Sequence, residues 1–519
     1  MSDALLIGID AGTSVIKAVA FDLEGRQVAQ ASRRNSYVTL PNGGVEQDMR
    51  RTWTDTAAVL RELGETIDRL AQRVVALGVT GQGDGTWLID AQGQPVHDAW
   101  LWLDARASVE AAELGASDGI DVIYENTGTG VNVCQMRSQL LWMVRHAPDL
   151  VLRAGTAFHC KDWLYFNLTG VRATDPTEGV LTFGDYRTRD YSTAVIDALG
   201  LTDLRHLLPE IVDGARDFHP LSDAAARTTG LPAGLPVSLG YIDIACTALG
   251  AGIHDPASQV GLTILGSTGV HMRFVPDADS VDLNAERTGY TLALPGQAFA
   301  QLQTNMAATL NIDWVFGLEA EILKTHGITP DPGSIIDGFD RRVMQARPGR
   351  ALYHPFISAA GERGPFTDPM ARASLTGLDL DTGWDDILRG VCDGLVLSAR
   401  DCYTAMGAMP GEVRLSGGGA KSSALRRLLA SALNTPVRAI AQDEAGAAGA
   451  VMIAALAQGH FSDATAATDA WIGPLLGELE QPDPALIETY DALFEAYDAT
   501  RVALSAAWRA QVQARERIL

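Results

Sequence analysis

The sequence predicts an α/β protein built in two halves, and three observations carry that prediction. A strand–turn–strand unit opens each half: LLIGID, AGTS and VIKAVAFD over Leu5–Asp22, then VGLTIL, GSTG and VHMRFV over Val260–Val275. Strands alternate with amphipathic helical stretches between and after these units, the pattern of layered α/β architecture. The chain has 519 residues, more than one small core holds.

Leu5–Asp10 is an apolar run that reads as a buried strand, Ala11–Ser14 as a Gly-containing turn, and Val15–Asp22 as the returning strand. Glu24-Gly25 makes the next turn, so the chain begins as a β-meander rather than as a strand followed by a helix. The spacing predicts helices over Thr52–Ala71 and Gln139–His146, and later over Thr382–Met406, Ser422–Leu433 and Glu444–Gln458. Pro482–Leu519 reads as a long terminal helix, and the small, Gly-rich segment Ala248–Ser258 as the junction between the halves. The repeated unit suggests internal duplication, in pattern more than in identity.

A chain that is 47% hydrophobic and 20% charged folds rather than staying disordered. Its formal net charge of −24 argues against broad binding to nucleic acid or anionic membrane, though not against a nucleotide in one local pocket. The five cysteines include no CxxC pair and read as buried free thiols of a cytoplasmic protein. MSDALLIGID lacks the pattern of a signal peptide, and no apolar run reaches the ~18–20 residues of a membrane span.

Four places could carry chemistry. Asp10 ends a strand beside the turn Ala11-Gly-Thr-Ser14, which suits a metal–phosphate group. An ordinary hairpin turn whose Asp bonds its own backbone reads the same way. Asp243, in Gly240-Tyr-Ile-Asp243, is either the first residue of a helix or a general base at the mouth of a cleft. Leu415-Ser-Gly-Gly-Gly-Ala-Lys-Ser422 puts Gly417, Gly418 and Gly419 between a strand and a helix, where a ligand can approach the backbone. It fits neither a Walker A loop nor GxGxxG. Finally, GVTGQGDGTWLID at Gly78–Asp90 crowds glycines around Asp84, and Trp100-Leu-Trp-Leu-Asp-Ala-Arg106 follows. A ring covering C–H faces beside a carboxylate that accepts hydroxyl hydrogens suits a polyol; a core Trp with a surface Asp–Arg pair is the alternative.

Taken in order, these segments resemble the FGGY family of carbohydrate kinases, within the actin-like, ribonuclease H-like ATPases. The matching pieces are IGIDAGTSVIKAVAFD, VEQD, GVTGQGDG, WLWLDAR, QLLW, KDWLYFNLTG, ATD, GYID, LGSTG, HPFISAAGERGPFTDP, LSGGGAKS and EAGAAGA, from Leu5 to about Gln458. The resemblance implies two ribonuclease H-like (actin-like ATPase) domains with a cleft between them. Residues 1–248 would bind sugar and hold the first phosphate loop and the catalytic Asp; 249–519 would bind the nucleotide. It implies ATP and Mg2+, with Asp10 near the metal and Thr13 and Ser14 near the phosphates. Gly266, Ser267 and Thr268 would form the second phosphate loop. Gly417, Gly418 and Gly419 would face the adenosine, with Ala420–Ser422 flanking base and ribose. Asp243 would be the catalytic base, and Asp84 and Trp102 would contact the sugar.

Departures from the family pattern bear on the substrate. Gln139 replaces a Lys, Gly390, Cys392 and Asp393 replace a more usual Ala, aliphatic and Glu, and Ile244 stands where glycerol kinases carry Gln. Xylulose kinases tend to read GQMHG at the first loop and glycerol kinases NQRET; this chain reads Gly81-Gln-Gly-Asp-Gly85. Gly83 would leave space where relatives place Met or Arg. The loop looks most like that of erythritol kinases, implying phosphorylation of a terminal hydroxyl of a four-carbon polyol, erythritol to erythritol phosphate. A pentulose such as xylulose is the alternative substrate; a non-enzymatic actin-like ATPase or sugar sensor is the alternative of another class. The resemblance implies a small-molecule polyol or ketose as partner, no nucleic acid, no membrane, and a possible homodimer.

Overall fold

A computed structural model describes residues 3–329 and 336–518. Two six-stranded sheets organise them. The first comprises β1 (Leu5–Ala11), β2 (Val15–Asp22), β3 (Gln27–Arg34), β4 (Val74–Gly81), β5 (His219–Pro220) and β6 (Pro236–Leu239), in the order β5-β6-β4-β1-β2-β3. The second comprises β7 (Gly261–Leu265), β8 (Gly269–Val275), β9 (Tyr290–Ala293), β10 (Phe299–Asn305), β11 (Val413–Ser416) and β12 (Val437–Ala439), in the order β9-β10-β8-β7-β11-β12.

The expected duplication is visible in the pairing. β1 pairs antiparallel with β2 and parallel with β4, and β4 pairs parallel with β6. β7 pairs antiparallel with β8 and parallel with β11, and β11 pairs parallel with β12. Each expected hairpin forms, Leu5 opposite Asp22 and Gly261 opposite Arg273.

Helix α1 spans Met49–Thr66, three residues earlier than its apolar spacing suggests, because Asp48 caps it by accepting from the N–H groups of Arg50 and Arg51. It also stops earlier, and Leu70–Arg73 is a separate short turn of helix. Helix α2 is Asp243–Gly250, so the start of the expected junction, Ala248–Gly250, is helical. Helices α3 (Trp384–Ala405), α4 (Ser423–Leu433) and α5 (Ala445–Ala457) lie within two residues of their predicted ends. The terminal helix α6 runs over Pro484–Ile518; Leu519 lies outside the described residues.

Helix α5 belongs to the second half of the sequence but packs on the first sheet. Gly8 of β1 and Gly78 of β4 are register partners, and a Cβ on either would strike an α5 carbonyl, that of Ala447 or Ala450. α5 also crosses α2 at glycines: a Cβ on Gly449 would strike the Cys246 carbonyl, and one on Gly250 the Ala445 carbonyl. Glycine is required here for close approach rather than for a turn. The apolar cluster around this crossing joins Leu6, Phe21 and Ala76 of the first half to Leu262, Met272 and Phe274 of the second. All five cysteines are buried free thiols. Among the described residues no helix is long and apolar enough to cross a membrane.

Candidate active site

Five candidate segments follow the carboxyl ends of parallel strands, the usual place for ligands in open α/β sheets. Asp10 and its turn lie at the end of β1, Gln82–Asp84 follow β4, and Gly240–Asp243 follow β6. Gly266–Thr268 follow β7 and Gly417–Gly419 follow β11. The registers Asp10–Thr80 and Leu239–Val79 hold the first three side by side.

One cavity, ≈ 220 Å3, joins Thr13, Gly83, Asp84, Trp102, Ile242, Asp243 and Ile244 of the first half to Val270, Tyr290, Leu292, Leu302, Thr304 and Arg363 of the second. Asp243 is the first residue of α2 and also lines the cavity, so its place at the helix start is compatible with a place in the cleft. Burial pushes its pKa up to about 7, helped by the nearby Asp10 and only partly offset by the N–H of Ile244.

Asp84 is held in the left-handed region at φ 53°, with its N–H donating to Glu178 Oε1 at 3.2 Å. Cys134 Sγ and Tyr290 Oη donate to its Oδ2, at 3.6 and 3.4 Å, and its buried Oδ1 has no partner. Burial raises its pKa, against the lowering influence of His159, Cys134, Arg363 and Arg137. Trp102 faces the cavity and donates through Nε1 to Thr13 Oγ1 at 2.8 Å. Trp100 is core, covered by the Arg106 guanidinium 3.3 Å from its ring centroid, and Arg106 pairs with Asp104 at 2.6 Å. The WLWLDAR segment thus holds one Trp that lines the cavity and one in the core, and its Asp–Arg pair is buried rather than at the surface.

One expectation changes. Gly83 does not leave an empty space: Ile242 fills it, and a Cβ at 83 would fall on Ile242 Cδ1 and Cγ1. The Thr13 hydroxyl gives its proton to Gln82 Oε1 at 3.0 Å and lines the cavity beside Trp102. Ser14 is exposed at the turn, as are Ser267 and Thr268 at theirs.

Among the described residues Asp10 makes no side-chain hydrogen bond or ion pair, and burial raises its pKa to about 6. Lys17, its cross-strand neighbour, pairs instead with Glu444 across the halves at 2.7 Å. A Cβ at Gly446 would lie 2.6 Å from Asp10 Oδ2, so α5 stands against this carboxylate. Among the described residues there is no cluster of three or more His, Cys, Asp or Glu able to hold a metal. Mg2+ asks for less, one or two carboxylates with phosphate and water, and a half-buried Asp10 with no partner among the described residues fits that.

A second cavity, ≈ 620 Å3, is lined by Gly418, Gly419 and Ser422, with Ile312, Phe316 and Phe339 as apolar walls. Gly417 has φ +84°, and a Cβ there would approach the Leu265 carbonyl at 2.6 Å, so the glycine loop lies flat against the end of β7. Ser422 caps α4 by accepting from Leu425 N–H at 3.0 Å. Thr309 links this cavity to the second turn, bonding the Gly266 carbonyl through its N–H and its hydroxyl at 3.0 and 2.9 Å.

A buried charge network lies under Asp84. Lys161 Nζ contacts Asp162 Oδ1 and Asp175 Oδ1, each at 2.7 Å. His159 lies 3.3 Å from both Asp162 Oδ2 and Glu178 Oε2. Burial pushes Glu178 well above the ordinary carboxyl range, which suits a protonated group. The motifs KDWLYFNLTG and ATD announce Lys161, Asp162 and Asp175, but nothing local in them says that they meet. Glu178, His159, Tyr290 and Arg363 were not predicted as site residues.

A model of the FGGY family of carbohydrate kinases, N-terminal domain, matches residues 5–250, and its C-terminal counterpart matches 261–458. The chain belongs to the FGGY family of carbohydrate kinases. This FGGY kinase is 51% identical over 505 residues to an erythritol kinase of Brucella abortus, covering 97% of each chain. It is 30% identical to a xylulose kinase of Escherichia coli, covering 82% of this chain and 84% of that one. The solved xylulose kinase of Rhodospirillum rubrum superposes with a TM-score of 0.87 at 26% identity, over 97% of this chain and 100% of that one. The FGGY kinase is thus an ATP-dependent kinase of a sugar or polyol with the two-domain α/β fold of its relatives.

Proposed function

We propose that this kinase transfers the γ-phosphoryl group of ATP to a terminal hydroxyl of erythritol. One observation carries the reading: Asp243 and Asp84 line one small cavity walled by Trp102, Ile242, Leu292 and Leu302. That is the arrangement a short polyol needs, with a base at one end and a hydroxyl acceptor at the other. The 51% identity to an erythritol kinase supports the four-carbon substrate. Residues 1–248 supply Asp84, Trp102 and Asp243 to the polyol cavity, while 249–519 supply its opposite wall and border the nucleotide.

In the reaction, Asp243 accepts the proton of the attacking hydroxyl as its oxygen bonds to the γ-phosphorus. The bond from that phosphorus to the β–γ bridging oxygen breaks, and ADP leaves with the electron pair. A carboxylate with a pKa of about 7 suits a general base at neutral pH. Ser14 with its turn and Gly266–Thr268 hold the phosphates from opposite sides, while Gly417–Gly419 and Ser422 border the adenosine. Asp10 would hold Mg2+, which supplies charge neutralisation on the phosphate oxygens. The reaction belongs in the cytoplasm, in keeping with five free, buried cysteines.

The test is ADP release across erythritol, threitol, glycerol, erythrulose, xylulose and ribulose. Erythritol should give the highest kcat/KM; xylulose matching or exceeding it would overturn the reading. Asp84→Ala should raise the KM for the polyol far more than that for ATP.

A further inference from the structure

The segment His354–Pro369 (HPFISAAGERGPFTDP) is matched in the family pattern but has no part in the mechanism above. One of its residues, Arg363, reaches the polyol cavity from the opposite half to Asp84. We propose that Arg363 is a specificity-determining residue: its guanidinium donates to one hydroxyl of the polyol while a neighbouring hydroxyl donates to Asp84. This rests on the polyol-kinase reading of the same cavity.

Two polar groups of the residues lining this cavity lack partners among the described residues. The Arg363 guanidinium makes no hydrogen bond or ion pair among the described residues, and its Nε is buried without a partner. Asp84 lines the same cavity, and its Oδ1 is buried with no partner among the described residues. A buried charge left unpaired is costly. These two groups are close enough to influence one another yet form no salt bridge. The gap between a fixed donor and a fixed acceptor suits hydroxyls, each of which donates and accepts.

The mount of Arg363 is rigid, unlike that of a surface arginine. Glu362 Oε1 accepts from the N–H of Arg363 and of Met306, both at 2.9 Å. The Gly364 carbonyl accepts from Asn305 Nδ2 at 2.8 Å. Glu362 and Asp368 exchange backbone bonds, both at 3.0 Å. The backbone is thus pinned on both sides of a side chain that has nothing of its own to bind, the preorganisation expected of a ligand contact.

Charge selects the ligand class. Asp84 and Asp243 face the cavity with one guanidinium, so a carboxylate-bearing substrate would meet two acids and one base. A neutral polyol meets no such repulsion. Because Asp84 and Arg363 belong to opposite halves, a diol held between them also ties the halves together.

Arg363→Gln, Arg363→Lys and the unaltered enzyme would be compared with erythritol and with 1,2,4-butanetriol, which keeps the carbon chain but lacks one internal hydroxyl. Arg363→Gln should raise the erythritol KM about ten-fold or more, the scale of a hydrogen bond to a charged group, with the ATP KM little changed. The erythritol-to-butanetriol ratio of kcat/KM should fall toward one in Arg363→Gln and stay intermediate in Arg363→Lys. An unchanged ratio, or equal rises in both KM values, overturns the proposal, as does faster turnover of erythronate than of erythritol by the unaltered enzyme. If Arg363→Gln loses its ATP-induced rise in melting temperature, it has not folded, and the ratio in Arg363→Lys decides. If the unaltered enzyme prefers another substrate, the erythritol reading fails by itself. Arg363 is then judged by the same ratio with that substrate and its deoxy analogue.

Discussion

Asp243 has an environment that makes its proton available at neutral pH, and this gives opposite signs for rate and stability. Below about 7 the carboxyl is protonated and cannot accept the substrate proton, so kcat/KM should climb with pH through about 7 and then level. Its raised pKa favours the folded state most below its ordinary value near 4, and that contribution is lost as pH rises through about 7. Asp243→Asn should lower kcat by roughly 10²–10⁴-fold or more while leaving ATP binding intact, and should remove this part of the pH dependence of melting. A variant that keeps its rate would exclude Asp243 as the base. At Gly83, Gly83→Met should abolish polyol binding because Ile242 already occupies the Cβ position. Restoring space with Gly83→Met/Ile242→Ala should recover part of it; no recovery would mean that the loop backbone, not Ile242, is the obstacle. Asp84, Trp102 and Asp243 were legible because each sits in a segment with its own odd composition. The filling of Gly83's space by Ile242 was not, since the two are about 160 residues apart and only the fold brings β4 beside β6.

Among the elements, the hairpins and the glycine loop were legible because their signals are local: an apolar run, a Gly/Ser/Thr turn, another apolar run. The partner of helix α5 was not. Its Ala- and Gly-rich sequence is apolar all round, which announces burial without naming the surface that buries it. That surface is β1 and β4, chosen by Gly8 and Gly78, and the crossing with α2 is set by Gly449 against Cys246. Gly449→Ala would gain helix propensity in isolation, yet here its methyl meets a carbonyl that cannot move without shifting α2 and the Asp243 it carries. The variant should melt lower, by roughly 1–3 °C for a chain of this size, the range of a misfit of about 1–3 kcal/mol. Its kcat should fall as well. Unchanged melting, measured by circular dichroism, would show that the helices slide apart at no cost.

The two six-stranded sheets share one continuous apolar cluster between them, with α5 inserted from the second half onto the first. Lys17–Glu444 adds an ion pair across the same seam. The halves should therefore unfold together: calorimetry of the ligand-free protein should give a single transition, and two resolved transitions would mean that the seam contributes little. The swapped position of α5 also bears on how the chain is made. A ribosome finishes the first sheet and α2 about 200 residues before it reaches Ala445. At roughly 5–20 residues per second, the nascent sheet waits about 10–40 s with the Gly8–Gly78 face bare. A messenger truncated just past the first half would yield a sheet that never receives its cover, and such a product should be found bound to chaperones or in the insoluble fraction, while the full-length chain is released folded.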